Sequence, residues 1–236
     1  MPDAPRGVSG RTVLVAGATS ASGAAASCVL AGAGARVIAV GRDPERLAAL
    51  VLGAESAAGD LAPPVRAEVC DLIDEGAVAG LAERLGADGV RVDGILHLVG
   101  GWRGGGGLAG QSDADYRFLE HGLTALRHVT RAFDADLRAS DAARLAIVSS
   151  TAVARPLAGG ANYAAVKAAS EAWTRAVAQG FAKAARDAQE PLRAASVVFR
   201  VATLAGREDE LAARFAALWD EDAASVNDAV VTLGQV

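Results

Sequence analysis

Short runs of valine, isoleucine and leucine alternate with longer alanine-rich runs along most of this chain, and that alternation constrains its fold more than any other feature. Short aliphatic runs are typical of buried strands, and the longer runs are typical of helices. The strand runs show no regular exchange of apolar and polar residues, as expected where helices cover both faces of a sheet. The pattern therefore predicts an α/β protein built on a parallel sheet.

The boundaries of these runs give the predicted elements. Strands are predicted at 12–16, 36–40, 65–69, 93–99, 144–149, 193–199 and 229–233. Helices are predicted at 21–33, 44–52, 74–85, 112–138, 161–187 and 208–219. No repeat or linker interrupts this order, so we expect a single domain over residues 1–236, with residues 1–10 as a flexible N-terminus. The glycine-dominated stretch 100–110 is predicted to be a mobile loop.

Composition narrows the function classes. The formal net charge is −5 and the basic residues are scattered, which gives no nucleic-acid footprint. Cys28 and Cys70 have no metal-ligand or CxxC spacing, so we expect buried thiols in a reducing compartment and no metal site. No apolar run reaches membrane-spanning length, and the first ten residues lack a signal-peptide core. We therefore expect a cytoplasmic protein without membrane partners.

Tyr163 and Lys167 are the first candidates for chemistry. Residues four apart on a helix share one face, so the lysine ammonium should lie beside the tyrosine phenol. That neighbour should lower the pKa of the tyrosine and give an acid/base that works at neutral pH. Ser150 ends the strand at 144–149, where its hydroxyl could hold a substrate oxygen. The pair alone is a weak signal, because such spacing recurs by chance.

The segment after the first strand, Val13-Leu-Val-Ala-Gly17-Ala-Thr-Ser-Ala21-Ser-Gly23, is a turn of small residues that leads into a helix. Backbone N–H groups in such a turn can approach a pyrophosphate, and the helix N-terminus favours its charge. The alternative interpretation is a glycine/alanine turn that binds no ligand.

The order of these motifs resembles the short-chain dehydrogenase/reductase family along essentially the whole chain. The first turn is similar to the family's TGxxxGxG, with Ala16 and Ala21 as departures, and Asn162-Tyr163-Ala-Ala-Val-Lys167-Ala-Ala-Ser170 is similar to its active-site helix. The resemblance implies a Rossmann-type, doubly wound seven-stranded sheet of order 3-2-1-4-5-6-7. It also implies an NAD(P)-dependent oxidoreductase in which Ser150, Tyr163 and Lys167 are catalytic, the last two also contacting the cofactor.

The end of the second strand bears on the choice of cofactor. A carboxylate there would bind the ribose hydroxyls of NAD, but the chain has Gly41 followed by Arg42. A guanidinium can pair with a 2′-phosphate, and Thr19 and Ser20 could add hydroxyl groups, so NADP(H) is preferred and NAD(H) is the alternative. In the other interpretation, Arg42 only pairs with a neighbouring carboxylate. The resemblance implies the remaining cofactor contacts, which are Gly17, Ala21, Gly23, Asp71, Leu72, Val99 and Gly100.

Several family positions are changed. His97 replaces the first asparagine of the family's NNAG, and we expect it to brace the sheet. Gly122 replaces the asparagine that completes the family's catalytic tetrad, and neither Glu120 nor His121 is well placed to substitute for it.

The sixth strand departs as well, since Phe199 and Arg200 stand where the family has Pro-Gly. Phe199 could pack on the nicotinamide and Thr203 could reach the cofactor. The segment between Thr203 and the helix at 208–219 is short, so we expect an unusually open active site.

The glycine-rich loop should border the substrate cleft. Trp102 could stack on a flat substrate and Arg103 could bind an anionic group, although Trp102 could equally just anchor the loop. The GGW sequence of this loop has a local similarity to a branch of the family that includes dihydropteridine reductases.

We therefore expect an NADP(H)-dependent oxidoreductase that acts on a small-molecule carbonyl or alcohol. The alternatives are an NADP(H)-binding sensor or scaffold with little turnover, and a Rossmann domain that binds no cofactor. By resemblance, we expect a homodimer or homotetramer formed by the helices at 112–138 and 161–187.

Overall fold

The computed structural model describes residues 7–58 and 62–234. Its seven strands form one parallel sheet in the order β3-β2-β1-β4-β5-β6-β7, which confirms the predicted architecture. The strands are β1 (Thr12–Ala16), β2 (Arg36–Gly41), β3 (Arg66–Val69), β4 (Gly94–His97), β5 (Arg144–Ser150), β6 (Ala195–Val201) and β7 (Val230–Thr232). Of the predicted flexible N-terminus, residues 1–6 lie outside the described residues.

Helices connect the strands and cover both faces of the sheet. They are α1 (Ala21–Gly32), α2 (Pro44–Ala58), α3 (Glu75–Ala87), α4 (Asp113–Ala132), α5 (Asp134–Ala139), α6 (Ala161–Ala188), α7 (Glu208–Ala216) and α8 (Ala223–Val226). The helix predicted at 112–138 is two helices, because the backbone leaves helical geometry at Phe133 (φ −106°, ψ 10°). The side chain of Phe133 is 2% exposed, so this break carries an aromatic ring into the core.

Two aliphatic layers hold the sheet between the helices. One lies between the sheet and α1 and α7, and it contains Val13, Leu30 and Phe215. The other lies on the opposite face and contains Leu14 and Val129. Within the described residues, no helix is long and apolar enough to span a membrane.

This topology decides where a site can form. The chain leaves β1 toward β2 on one side, and β4 pairs with β1 on the other, so the connections diverge between β1 and β4. In open α/β sheets, ligands bind in the crevice outside the carboxyl ends of the strands at such a divergence. The ends of β1, β4 and β5 are therefore the place to look for chemistry.

Candidate active site

Ser150 and Tyr163 come together at the carboxyl edge of the sheet. Ser150 is the last residue of β5 and is 5% exposed. Its Oγ accepts a hydrogen bond from the backbone N–H of Ala152 at 3.1 Å. Tyr163 lies in the first turn of α6, and its hydroxyl is within hydrogen-bonding reach of Ser150. Two hydroxyl groups thus lie side by side where a substrate oxygen could be held.

Burial raises the pKa of Tyr163 above its usual value of 10.0, and the hydrogen bond with Ser150 offsets this only in part. The Lys167 Nζ lies 5.8 Å from the centre of the Tyr163 ring. The expectation that Lys167 lowers the pKa of Tyr163 is therefore wrong for this structure, because burial dominates. Tyr163 is protonated at neutral pH, which is the form that can donate a proton.

Lys167 is fixed by the backbone of β5. Its Nζ donates a hydrogen bond to the carbonyl oxygen of Val148 at 2.7 Å. Burial lowers the pKa of Lys167 to about 8, while the negative charge of Glu171 one turn along α6 acts to raise it. The ammonium is therefore desolvated but still mostly charged at neutral pH.

Glu171 belongs to a buried network beneath Lys167. Its carboxylate accepts hydrogen bonds from the Ser149 hydroxyl at 2.6 Å and from Arg200 Nε and Nη2 at 2.8 and 2.6 Å. The bonds to Arg200 and Ser149 keep the pKa of Glu171 below its usual value despite burial. The network ties α6 to β5 and β6, so it fixes the height of Lys167 at the sheet edge. The sequence analysis did not identify this role for Glu171 or Arg200.

A cleft of about 360 Å³ follows the ends of β1, β2 and β4. Eight of the predicted cofactor residues line it, namely Gly17, Thr19, Ser20, Arg42, Asp71, Leu72, Val99 and Gly100. A second cleft of about 370 Å³ shares Ser20, Val99 and Gly100 with the first and is also lined by Tyr163, Lys167, Trp102 and Thr203. The two clefts form one groove. It leads from the end lined by Arg42, which we call the arginine end, to Tyr163.

The arginine end of this groove excludes a carboxylate at the tip of β2. A Cβ atom at Gly41 would lie 2.9 Å from Thr19 Cγ2, so a larger side chain does not fit there without displacement. Arg42 and Arg46 both line the cleft, and Arg46 Nη2 donates to the Thr19 carbonyl oxygen at 2.6 Å. The sequence analysis missed Arg46, although a second arginine four residues after Arg42, in the first turn of α2, is a signal that could have identified it.

The amino-acid sequence matches a family model described as short chain dehydrogenase over residues 11–185. The chain belongs to the short-chain dehydrogenase family. The matched segment extends from β1 to the last turn of α6 and includes Ser150, Tyr163 and Lys167.

The individual relatives of this short-chain dehydrogenase have low sequence identity or match only part of the chain. A Streptomyces sp. (strain C5) protein provisionally named daunorubicin C-13 ketoreductase DnrU is 42% identical over 95 residues, which are 40% of this chain and 32% of that protein. The chain thus spans about a third of the length of this curated relative. A metagenomic short-chain oxidoreductase solved in complex with NADP is 27% identical, with a TM-score of 0.79 over 97% of this chain and 99% of that one. A short-chain dehydrogenase/reductase from Mycobacterium ulcerans has a TM-score of 0.83 at 19% identity, over 96% of this chain and 89% of that chain.

The structure explains why this short-chain dehydrogenase has glycine at position 122. A Cβ atom there would lie 3.0 Å from the Val99 carbonyl oxygen, because α4 packs closely on the chain that leaves β4. An asparagine would force this contact apart. The neighbouring His97 is 5% exposed, and its Nε2 lies 3.0 Å from the Gly122 carbonyl oxygen. His97 therefore braces β4 against α4, in keeping with the structural role expected for it.

Other predicted cofactor residues lie outside the clefts or already have hydrogen-bond partners within the chain. Phe199 is fully buried in the layer beneath α1 and α7, so the prediction that it packs on a nicotinamide is wrong. Its side chain is directed to that face by the alternation along β6, two residues before the strand ends. Ser20 has its hydroxyl engaged as the α1 cap, accepting from Gly23 N–H at 3.0 Å and donating to the Gly17 carbonyl at 2.9 Å. Ala21 and Gly23 do not line either cleft.

The glycine-rich loop is held by hydrogen bonds from Gln111, and its mobility stays a prediction. The Gln111 side-chain amide donates to the carbonyl oxygens of Gly105 and Gly159 at 3.0 Å, and Gly105 N–H donates to Gly159 at 2.7 Å. Trp102 is 61% exposed at the cleft mouth. Arg103 lies over the Phe118 ring at 4.1 Å and lines neither cleft, which argues against its predicted anion contact.

The first turn of α1 yields a stability prediction. A Cβ atom at Gly23 would lie 2.5 Å from the backbone of Ala18. Only a shift of the backbone can relieve this contact. We expect Gly23→Ala to lower the free energy of unfolding by about 1–3 kcal/mol. A urea titration measures this. The matched control is Gly53→Ala in α2, where no atom lies within 4 Å of the added methyl and helix propensity should stabilise the protein by up to about 1 kcal/mol. Equal stability of the two variants would contradict the steric account.

Proposed function

We propose that this protein is an NADP(H)-dependent oxidoreductase that reduces a carbonyl group, or oxidises an alcohol, of a small molecule. The observation that carries the proposal is the placement of Tyr163 and Lys167, with Ser150 beside Tyr163, at one end of a groove whose other end is lined by two arginines. The two ends are lined by different groups, guanidinium groups at one end and the Tyr163 hydroxyl at the other.

The residues present fit an NADP-type cofactor. Arg42 and Arg46 offer guanidinium groups to a 2′-phosphate, and Gly41, where a Cβ atom would crowd the Thr19 side chain, provides no carboxylate that would favour NAD(H). The α1 N-terminus with its Ser20 cap lies at the middle of the groove, where a pyrophosphate would be favoured. Asp71 lines the same cleft at the adenine end expected from the family resemblance. The metagenomic relative was solved with NADP, which agrees with this preference.

Bound NADPH would supply the hydride. Tyr163, kept protonated by its raised pKa, donates its proton to the carbonyl oxygen, and the Ser150 hydroxyl holds that oxygen in place. Lys167, fixed on the Val148 carbonyl, places a positive charge next to the phenolate that forms.

The substrate end of the groove is open, and an aromatic side chain lies at its rim. Trp102 is exposed at the cleft mouth, and the segment after Thr203 is short because α7 begins at Glu208. An open cleft with one indole wall suits a flat cyclic or aromatic ketone. The Streptomyces relative is named as a ketoreductase, which supports this substrate class. The local similarity to dihydropteridine reductases keeps pterin-like substrates in the same screen.

The first experiment measures NADPH oxidation with a panel of cyclic, aromatic and pterin-like carbonyl compounds, beside a direct NADPH-binding titration. We expect binding and turnover with at least one member of the panel. Binding without turnover favours a second function, an NADP(H) sensor or scaffold. That candidate is supported by one observation: burial raises the pKa of Tyr163, which disfavours the phenolate that turnover would form. Absence of NADPH and NADH binding would contradict both.

We also propose that the chain forms a homodimer or homotetramer through α4 and α6. Trp173 is used within the chain, where its Nε1 donates to Thr130 Oγ1 at 2.9 Å. The exposed face of α6 instead presents alanines, at positions 165, 168, 169, 172 and 176. Light scattering after size-exclusion chromatography should give two or four times the mass of one chain. Ala169→Arg should lower that mass, and a monomeric wild type would contradict the interface.

A further inference from the structure

His97 has one ring nitrogen in use and one without a partner. A carbonyl oxygen only accepts hydrogen bonds, so the contact between Nε2 and Gly122 at 3.0 Å puts the imidazole proton on Nε2. Nδ1 is then an acceptor, and it is buried with no hydrogen-bond partner among the described residues. An unpaired buried acceptor is unfavourable, so such groups in native proteins generally bind water or a ligand.

A small cavity lies beside the His97 side chain. It is lined by His97, Gly122, Tyr163, Lys167 and Ser170, together with apolar residues of α4, β5 and α6 and the segment after β4. The Ser170 hydroxyl already donates to the Val166 carbonyl oxygen at 2.9 Å. About 20 Å³ of it can hold the centre of a water molecule, which exceeds the roughly 10–15 Å³ that one water needs. His97, Tyr163 and Lys167 also line the open substrate cleft, so the cavity adjoins solvent.

We propose that one water molecule binds in this cavity between His97 Nδ1 and Lys167 Nζ, and that His97 is the residue that positions it for proton transfer to Lys167. The water donates one O–H to Nδ1 and accepts an N–H of Lys167. Burial lowers the pKa of His97 to about 4, and the Lys167 charge acts in the same direction, so the imidazole is neutral and stays an acceptor. The inference rests on the proposed reductase function.

The water completes the proton balance of the reaction. Tyr163 transfers a proton to the substrate oxygen, breaking its O–H bond and forming the alcohol O–H bond. The phenolate is converted back to the phenol by a proton that originates in solvent. In this relay an N–H proton of Lys167 passes to the phenolate oxygen. The bound water then gives a proton to Lys167 Nζ and takes one from solvent in the open cleft. His97 takes no proton itself and acts only by orienting the water.

Two substitutions separate positioning from bracing. His97→Gln can keep an N–H donor at the Nε2 position for the Gly122 carbonyl but loses the Nδ1 acceptor. His97→Asn places an amide oxygen near the Nδ1 position but loses the bond to Gly122. The proposal predicts that His97→Gln lowers kcat by about 10–100-fold at nearly unchanged NADPH Kd and unfolding temperature. It predicts that His97→Asn keeps kcat within about threefold and lowers the unfolding temperature by about 2–4 °C.

The opposite pattern would overturn the proposal. If His97 only braces the sheet, His97→Gln should behave like the wild type, while His97→Asn should lose stability and activity together. If neither variant folds, a high-resolution crystal structure of the wild type still tests the proposal. We expect a water within hydrogen-bonding distance of both His97 Nδ1 and Lys167 Nζ.

Absence of that water in a well-ordered wild-type crystal would contradict the inference, whether or not the enzyme turns over. Absence of turnover with the water present would instead contradict the proposed reductase function. The two failures are therefore distinguishable.

Discussion

Replacing Tyr163 by phenylalanine is expected to lower kcat for carbonyl reduction by about a thousandfold or more, while the Kd for NADPH changes by less than about threefold. The substitution removes only the hydroxyl that lies beside Ser150 and leaves the ring in place. The arginine end of the groove, which is expected to provide much of the cofactor affinity, is unchanged. Steady-state kinetics and a fluorescence titration with NADPH measure the two quantities.

The chain supplies its own control for this substitution. The only other tyrosine in the sequence is Tyr116, which is 43% exposed on α4. Tyr116→Phe should leave kcat and the NADPH Kd unchanged. Wild-type turnover in Tyr163→Phe would contradict the assignment of Tyr163 as the proton donor.

The double substitution Arg42→Ala with Arg46→Ala is expected to weaken NADPH binding by about 100-fold. Charge-assisted hydrogen bonds are worth roughly 1.5–3 kcal/mol each, and the double variant removes the two guanidinium groups that line this end of the cleft. NADH carries no 2′-phosphate, so its Kd should change by less than about threefold. The cofactor preference should therefore move toward NADH.

Arg186→Ala is the control for this prediction, since Arg186 is exposed in the last turn of α6. Titrations of the three proteins with NADPH and NADH give the comparison. An equal loss of affinity for both cofactors would mean that the arginines support the fold and do not recognise the phosphate. An unchanged NADPH Kd would place the 2′-phosphate elsewhere.

The strands and helices could be predicted because they depend on local patterns, whereas the strand order was an implication of the family resemblance. Aliphatic runs such as Arg144–Ser150 and helical runs such as Ala161–Ala188 have clear boundaries in the sequence. The first turn and the Tyr163 and Lys167 spacing are also local, so their positions at the sheet edge followed from the order of the elements. These predictions needed no knowledge of distant contacts.

The incorrect predictions depended on contacts between distant segments. The pKa of Tyr163 is set by burial under the loops around it, which the spacing to Lys167 does not reveal. Phe199 was expected in the cleft, but the alternation of β6 turns it into the core. The partner of Arg200 is Glu171 on another element. Close approaches at Gly41 and Gly122 likewise depend on neighbours that are remote in sequence.

The central claim is that this groove transfers a hydride from NADPH to a carbonyl carbon, and isotopic labelling tests it most directly. The wild-type protein is incubated with NADPH deuterated at either face of nicotinamide C4 and with the best carbonyl compound from the panel. Mass spectrometry then locates the deuterium. We predict that one of the two labelled cofactors gives an alcohol with one deuterium on the former carbonyl carbon, and that Tyr163→Phe gives almost none. An alcohol product free of deuterium from both cofactors would contradict the claim.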